Sequence, residues 1–112
     1  MPPRDWRIRV DDIMAAVDAI MVYTHGMDRA AFGADRRTVD AVVRNMIVIG
    51  EAAARVPEDV AVAHPEIPWA RMRGLRNLAV HEYFGVDEDV LWDTVTVNLP
   101  AVLPELRRLS DA

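Results

Sequence analysis

The stretch Val39–Ala53, Val-Asp-Ala-Val-Val-Arg-Asn-Met-Ile-Val-Ile-Gly-Glu-Ala-Ala, places apolar residues at Val39, Val42, Val43, Met46, Ile47, Gly50 and Ala53. Steps of three and four put them on one face of a helix. Asp35 and Thr38 offer N-capping oxygens ahead of it and Pro57 stops it. Gly50 inside such a helix costs up to ~1 kcal/mol relative to alanine, which points to another backbone passing close by.

Working outward, the same spacing recurs upstream in Trp6, Val10, Ile13, Met14, Val17, Ile20 and Met21, predicting a long first helix that ends near His25-Gly26. A short amphipathic piece around Met27 to Phe32 joins the two. Downstream, the prolines between Glu58 and Pro68 leave room for one short helical turn. A third helix is predicted from Pro68 or Trp69 through Met72, Leu75, Leu78 and Ala79, giving way near Phe84-Gly85. Asp87 would cap a fourth, with Glu88 and Asp89 at the positive end of its dipole and Val90, Leu91, Val95, Leu99, Val102, Leu103 and Leu106 as its buried face. Pro100 and Pro104 should kink it or split off its far end. No useful β-alternation occurs. The expected fold is all-α: a single domain over residues 1–112, an antiparallel bundle of four principal helices with short helical segments between them.

Composition narrows the function. The 112 residues are 52% hydrophobic, enough for a packed core, and none is cysteine, which removes disulfides, thiolate metal sites and thiol nucleophiles. Thirteen basic residues, all arginine, against 18 acidic ones give a net charge of −5. Such acidity opposes nonspecific capture of nucleic acid and leaves room for a small local arginine site. The residues before Asp12 are too charged for a secretory signal, and no apolar run approaches the ~20 residues of a membrane span. A cytoplasmic protein without membrane contact is expected.

Metal and nucleotide motifs fail on inspection. None of His25, His64 or His81 follows a glutamate by three residues, as carboxylate-bridged di-iron bundles require, and His81-Glu82 lacks the second histidine of a metalloprotease helix. The five glycines are scattered, so no phosphate loop exists, and no cofactor is expected. Chemistry concentrates instead in Arg71-Met72-Arg73-Gly74-Leu75-Arg76-Asn77-Leu78-Ala79-Val80-His81-Glu82-Tyr83. Arg71, Arg73 and Arg76 are expected to crowd one site. Arg73, Asn77 and His81, each four apart, share a helix face, whereas Arg76 and Tyr83 share another with Met72 and Ala79. Arg76 and His81 stand about 140° apart on an undistorted helix. Both reach one phosphate only if the helix loosens or a second protomer contributes.

Histidine moves protons at neutral pH, and the guanidinium fork matches phosphate oxygens. His81 as base on a ribose 2′-hydroxyl, Arg76 as charge stabiliser, and Asn77 and Arg73 in support would therefore cleave RNA without a metal. The ordinary readings stand beside this one. A lone helical histidine is commonly structural, closely spaced arginines commonly form a solvated face, and Tyr83 would pack as part of the apolar stripe. Glu51, with Arg55 four residues on and Arg44 seven before, reads as a rung in a surface charge ladder.

The string Arg76-Asn77-Leu78-Ala79-Val80-His81-Glu82-Tyr83 resembles the motif of HEPN-domain ribonucleases, and the tyrosine two residues after the histidine resembles the HepT-type toxins. Ile49-Gly50-Glu51-Ala52-Ala53, His64-Pro65-Glu66-Ile67-Pro68-Trp69, His81 to Asp87, and Val90 to Val95 with Leu99-Pro100 fit the same subgroup, in order along nearly the whole chain. The resemblance implies a homodimer whose protomers both line one cleft with Arg76 and His81. It implies metal-independent endoribonuclease activity, on transfer or messenger RNA, as the toxin of a type VII toxin–antitoxin module. The antitoxin partner would be a minimal nucleotidyltransferase that neutralises the toxin by transferring AMP to Tyr83. The competing reading is a noncatalytic helical adaptor that binds a nucleotide or docks the transferase.

Overall fold

The helix predicted around Val39–Ala53 is the centre of the molecule. The computed structural model describes residues 5–83 and 88–111, with residues 82 and 83 by backbone alone. Among these the helices are α1 (Trp6–Thr24), α2 (Arg29–Ala34), α3 (Arg36–Ala54), α4 (Glu58–Ala63), α5 (Trp69–Tyr83), α6 (Glu88–Asp93) and α7 (Leu99–Asp111), and no strand occurs. A single π-helical turn, Thr94–Asn98, joins α6 to α7. α3 packs against α1 on one side and α5 on the other, and α7 lies along α1. The architecture is the expected all-α bundle.

Each boundary has a local cause. Asp5 caps α1 by accepting from the Arg7 amide at 2.9 Å, and Gly26, with φ +76°, turns the chain after it. Asp28 caps α2 through the Ala31 amide, and Asp35 caps α3 through the Thr38 amide at 3.2 Å. The Thr38 hydroxyl donates to the same carboxylate at 2.9 Å, so Thr38 reinforces the cap instead of supplying it. The Thr38 amide first, and its hydroxyl second, hold the Asp35 carboxyl below the usual aspartate range. α3 ends at Ala54, three residues before Pro57.

The core contains Val10, Ile13, Val17 and Ile20 of α1, Phe32 of α2, Val39, Val42, Met46 and Ile49 of α3, Met72, Leu75 and Ala79 of α5, and Leu91, Val95, Leu99, Val102, Leu103 and Leu106 towards the C-terminus. The structure corrects the predicted faces in places. Met21, Ile47 and Val90 are exposed, while Ala16, Ile49 and Ala52 are buried in their stead. Thr24 and Thr94 are buried too, each hydroxyl donating at 2.8 Å to the carbonyl four residues earlier, so neither polar group is left unsatisfied.

The fourth predicted helix is split, as its prolines suggested, but upstream of both. Pro100 has no N–H for the Thr96 carbonyl, and the π turn just before it absorbs the mismatch through a wider bond from the Leu99 amide to the Thr94 carbonyl. Pro104 stays inside α7. Residues 84–87, including the predicted Asp87 cap, lie outside the described residues. Beyond them, Arg29 of α2 donates to Glu88 and Asp89 of α6 at 2.8 Å each, and the rings of Phe32 and Trp92 pack at a 34° tilt with centroids 4.9 Å apart. These contacts close one end of the bundle.

Candidate active site

The residues singled out on α5 are placed by how closely α3 and α5 approach. A Cβ built on Gly50 would lie 3.0 Å from the Arg76 amide nitrogen, 3.2 Å from Arg76 Cβ and 3.3 Å from the Arg73 carbonyl oxygen. The backbone inferred from Gly50 is thus that of the arginine-bearing segment. Met72, Leu75 and Ala79 turn into the core, so Arg73, Arg76, Asn77, Val80 and His81 are left on the solvent side of α5. Burial sorts the helix faces as the spacing anticipated, except that Arg76 departs from Met72 and Ala79 and reaches across to α3.

There Arg76 meets Glu51: the guanidinium Nη1 lies 2.9 Å from Glu51 Oε1, with Arg76 64% and Glu51 40% exposed. Glu51 Oε2 lies 3.3 Å from Arg55 Nη1. The predicted charge ladder is corrected accordingly. Its rung to Arg55 exists, and the second partner of Glu51 is Arg76 from another helix, not Arg44 from its own. The sequence signal was Gly50 beside Glu51, a close-approach residue next to a carboxylate; the identity of the approaching helix was not in the spacing.

The expectation that three arginines crowd one site is corrected for Arg71. Arg71 lines a cavity of about 310 Å³ between the start of α5 and the π turn, together with Met72, Leu75, Val97 and Leu99. Arg73 borders a groove formed with Ala54, Val56, Glu58 and Trp69. Of these three arginines, Arg76 pairs with Glu51. At about 100° per residue Arg71 stands roughly 140° to 160° around the axis from Arg76 and Arg73, whereas Arg73 and Arg76, three apart, lie only about 60° from one another. α5 also remains α-helical from Trp69 to Tyr83, so the helix does not loosen between Arg76 and His81. His81 is exposed in the last turn, and the Tyr83 side chain lies outside the described residues.

Two other histidines have structural settings. His25 closes α1 with its amide bonded to the Val22 carbonyl, and His64 accepts the Trp69 indole N–H on its carbonyl at 3.0 Å while Nδ1 faces Glu66 at 3.4 Å. Among the described residues no group of three or more His, Asp or Glu side chains could hold a metal ion. No helix among them is long and apolar enough to cross a membrane.

Comparison with known proteins sets this arrangement in a family. Residues 13–109 match the family described as "Ribonuclease HepT-like". A Thermococcus cleftensis protein named "Probable ribonuclease HepT" is 38% identical over 100 residues, covering 89% of this chain and 91% of that one. A Methanocaldococcus jannaschii protein bearing the name "Putative RNase" is 35% identical over 109 residues, covering 97% of this chain and 90% of its own. No solved structure matches significantly. A family match across most of the bundle, with the Arg-to-His segment exposed at its α3–α5 edge, shows that the chain belongs to the HepT-like ribonucleases of the HEPN type.

Proposed function

We propose that the protein is an endoribonuclease whose catalytic groups are Arg76 and His81. The observation that carries this reading is the exposed edge of α5, where Arg76, Asn77 and His81 face solvent while Leu75, Leu78 and Ala79 of the same turns are buried or partly buried. A segment serving only packing has no need of this polar set. His81 accepts the proton of a ribose 2′-hydroxyl; the freed oxygen bonds to the adjacent phosphorus, and the P–O5′ bond breaks. The departing 5′-oxygen takes up a proton, leaving a 2′,3′-cyclic phosphate. Arg76 stabilises the negative charge that accumulates on the phosphorane oxygens, and Asn77 and Arg73 hold the substrate. The two charge-handling groups supply this chemistry without a metal ion.

The 140° between Arg76 and His81 on an intact helix favours a site built from two protomers. Ile47 and Val48 on α3 and Val80 on α5, exposed at 37%, 37% and 45%, belong to the same two helices and would give a second copy an apolar footing. The homodimer's cleft then contains two arginines and two histidines, which concentrates positive charge on an otherwise acidic protein. In this reading the RNA substrate enters that cleft, and a cognate nucleotidyltransferase silences the toxin by placing AMP on Tyr83, adding bulk and negative charge where RNA must bind.

The test is cleavage of transfer and messenger RNA by the purified protein in excess chelator. Cleavage that His81→Ala and Arg76→Ala each abolish is the expected result. An intact protein that binds RNA or nucleotide without cutting it would instead favour the adaptor.

A further inference from the structure

We infer that Glu51 is a positioning residue for Arg76, an inference that rests on the ribonuclease reading above. Three observations converge on it. Gly50 lets the α5 backbone approach α3 at Arg76 itself, so a side chain as short as glutamate spans the gap. Glu51 Oε1 then lies 2.9 Å from Arg76 Nη1, an ion pair between the two helices. Its other oxygen faces Arg55 at 3.3 Å, so the carboxylate is held from both sides and is itself restrained.

Stability does not account for a carboxylate at this place, because an ion pair this exposed contributes little to folding. Orientation does. A free arginine side chain samples many rotamers, and a phosphoryl site needs its planar fork in one of them. Of the five N–H donors of Arg76, the pair with Glu51 engages one nitrogen, leaving Nε and Nη2 for phosphate oxygens. Charge is also kept in balance: two arginines share one carboxylate, so the cluster Arg55–Glu51–Arg76 still carries a net positive charge towards an incoming phosphate. Glu51 acts through Arg76 and does not touch the reacting atoms.

The experiment is a double-mutant cycle on RNA cleavage with wild type, Glu51→Gln, Arg76→Ala and the double variant, alongside the side-chain Nε–H resonances of the arginines. Glu51→Gln should lower kcat/KM roughly ten- to hundredfold, the range expected for a displaced catalytic group, with a melting temperature near that of wild type. In the Arg76→Ala background the same change should alter the residual rate by less than about twofold, because the two residues act as one unit. The Arg76 Nε–H resonance should shift and exchange faster in Glu51→Gln while that of Arg107 stays put. This readout survives even if Arg76→Ala is too slow to assay. Glu51→Gln activity equal to or above wild type, or an equal loss in both backgrounds, overturns the positioning role. Cleavage untouched by Arg76→Ala and His81→Ala overturns the ribonuclease reading instead, so the two failures are distinguishable.

Discussion

Gly50→Ala tests the packing that builds the site. The added methyl carbon would sit 3.0 Å from the Arg76 amide nitrogen, 3.2 Å from Arg76 Cβ and 3.3 Å from the Arg73 carbonyl oxygen, all tighter than ordinary contact. Two of the three are backbone atoms of a helix anchored by buried Met72, Leu75 and Ala79, so α5 must shift as a body by a few tenths of an ångström. Overpacking of this kind costs about 1–3 kcal/mol, while replacing a mid-helix glycine returns at most ~1 kcal/mol. The net expectation is a loss of up to about 2 kcal/mol, or several degrees in melting temperature. Gly74→Ala is the internal control: it lies within α5, and nothing stands within 4 Å of its added Cβ. It should gain up to ~1 kcal/mol from helix propensity alone. Thermal and urea unfolding of both variants, followed by circular dichroism, give the comparison. Gly50→Ala as stabilising as Gly74→Ala would refute the close-approach argument, and with it the account of how Arg76 reaches Glu51.

Other substitutions follow from the same structure. Leu106→Ala removes a fully buried side chain of α7 and should destabilise the fold by about 2–5 kcal/mol in urea titration. Asp35→Ala removes the cap of α3 and should lower the melting temperature at neutral pH. Because the folded state depresses the Asp35 pKa, that stabilisation is present above the ordinary aspartate range and is lost as pH falls through the lowered value. The wild-type and Asp35→Ala melting curves should therefore converge in strong acid, and a gap that persists there would contradict the assignment. Arg29→Ala frees Glu88 and Asp89 and should lower the melting temperature by an amount that shrinks with added salt, since all three groups are solvent-accessible.

The helices were legible because each carries its own instructions. Asp35 ahead of an apolar stripe, Pro57 behind it, and Trp69 after Pro68 state start and stop without reference to the rest of the chain. The buried faces were legible less finely. Ile47 and Ile49 are chemically alike, and which one faces inward depends on how α1 and α5 flank α3. Thr24 and Thr94 read as polar, yet both are buried, since a hydroxyl bonded to its own helix needs no outside partner. The site followed the same division. Spacing puts Arg73, Asn77 and His81 on one face, and all three are exposed on an unbroken helix, whereas nearness along the chain misleads for Arg71, which lines a different cavity. Residues close in sequence diverge around a helix axis at about 100° each.

The all-α class, the approximate extents of the main helices and the family resemblance can be read from residue order alone, because they depend on short-range spacing and capping. Tertiary packing was needed to show that Gly50 is matched to Arg76 and that Glu51 pairs with Arg76 as well as Arg55. Those facts depend on which helix lies beside α3 and on its rotation and closeness. Those are set by the fit of side chains from all the helices into one core, which no local pattern encodes.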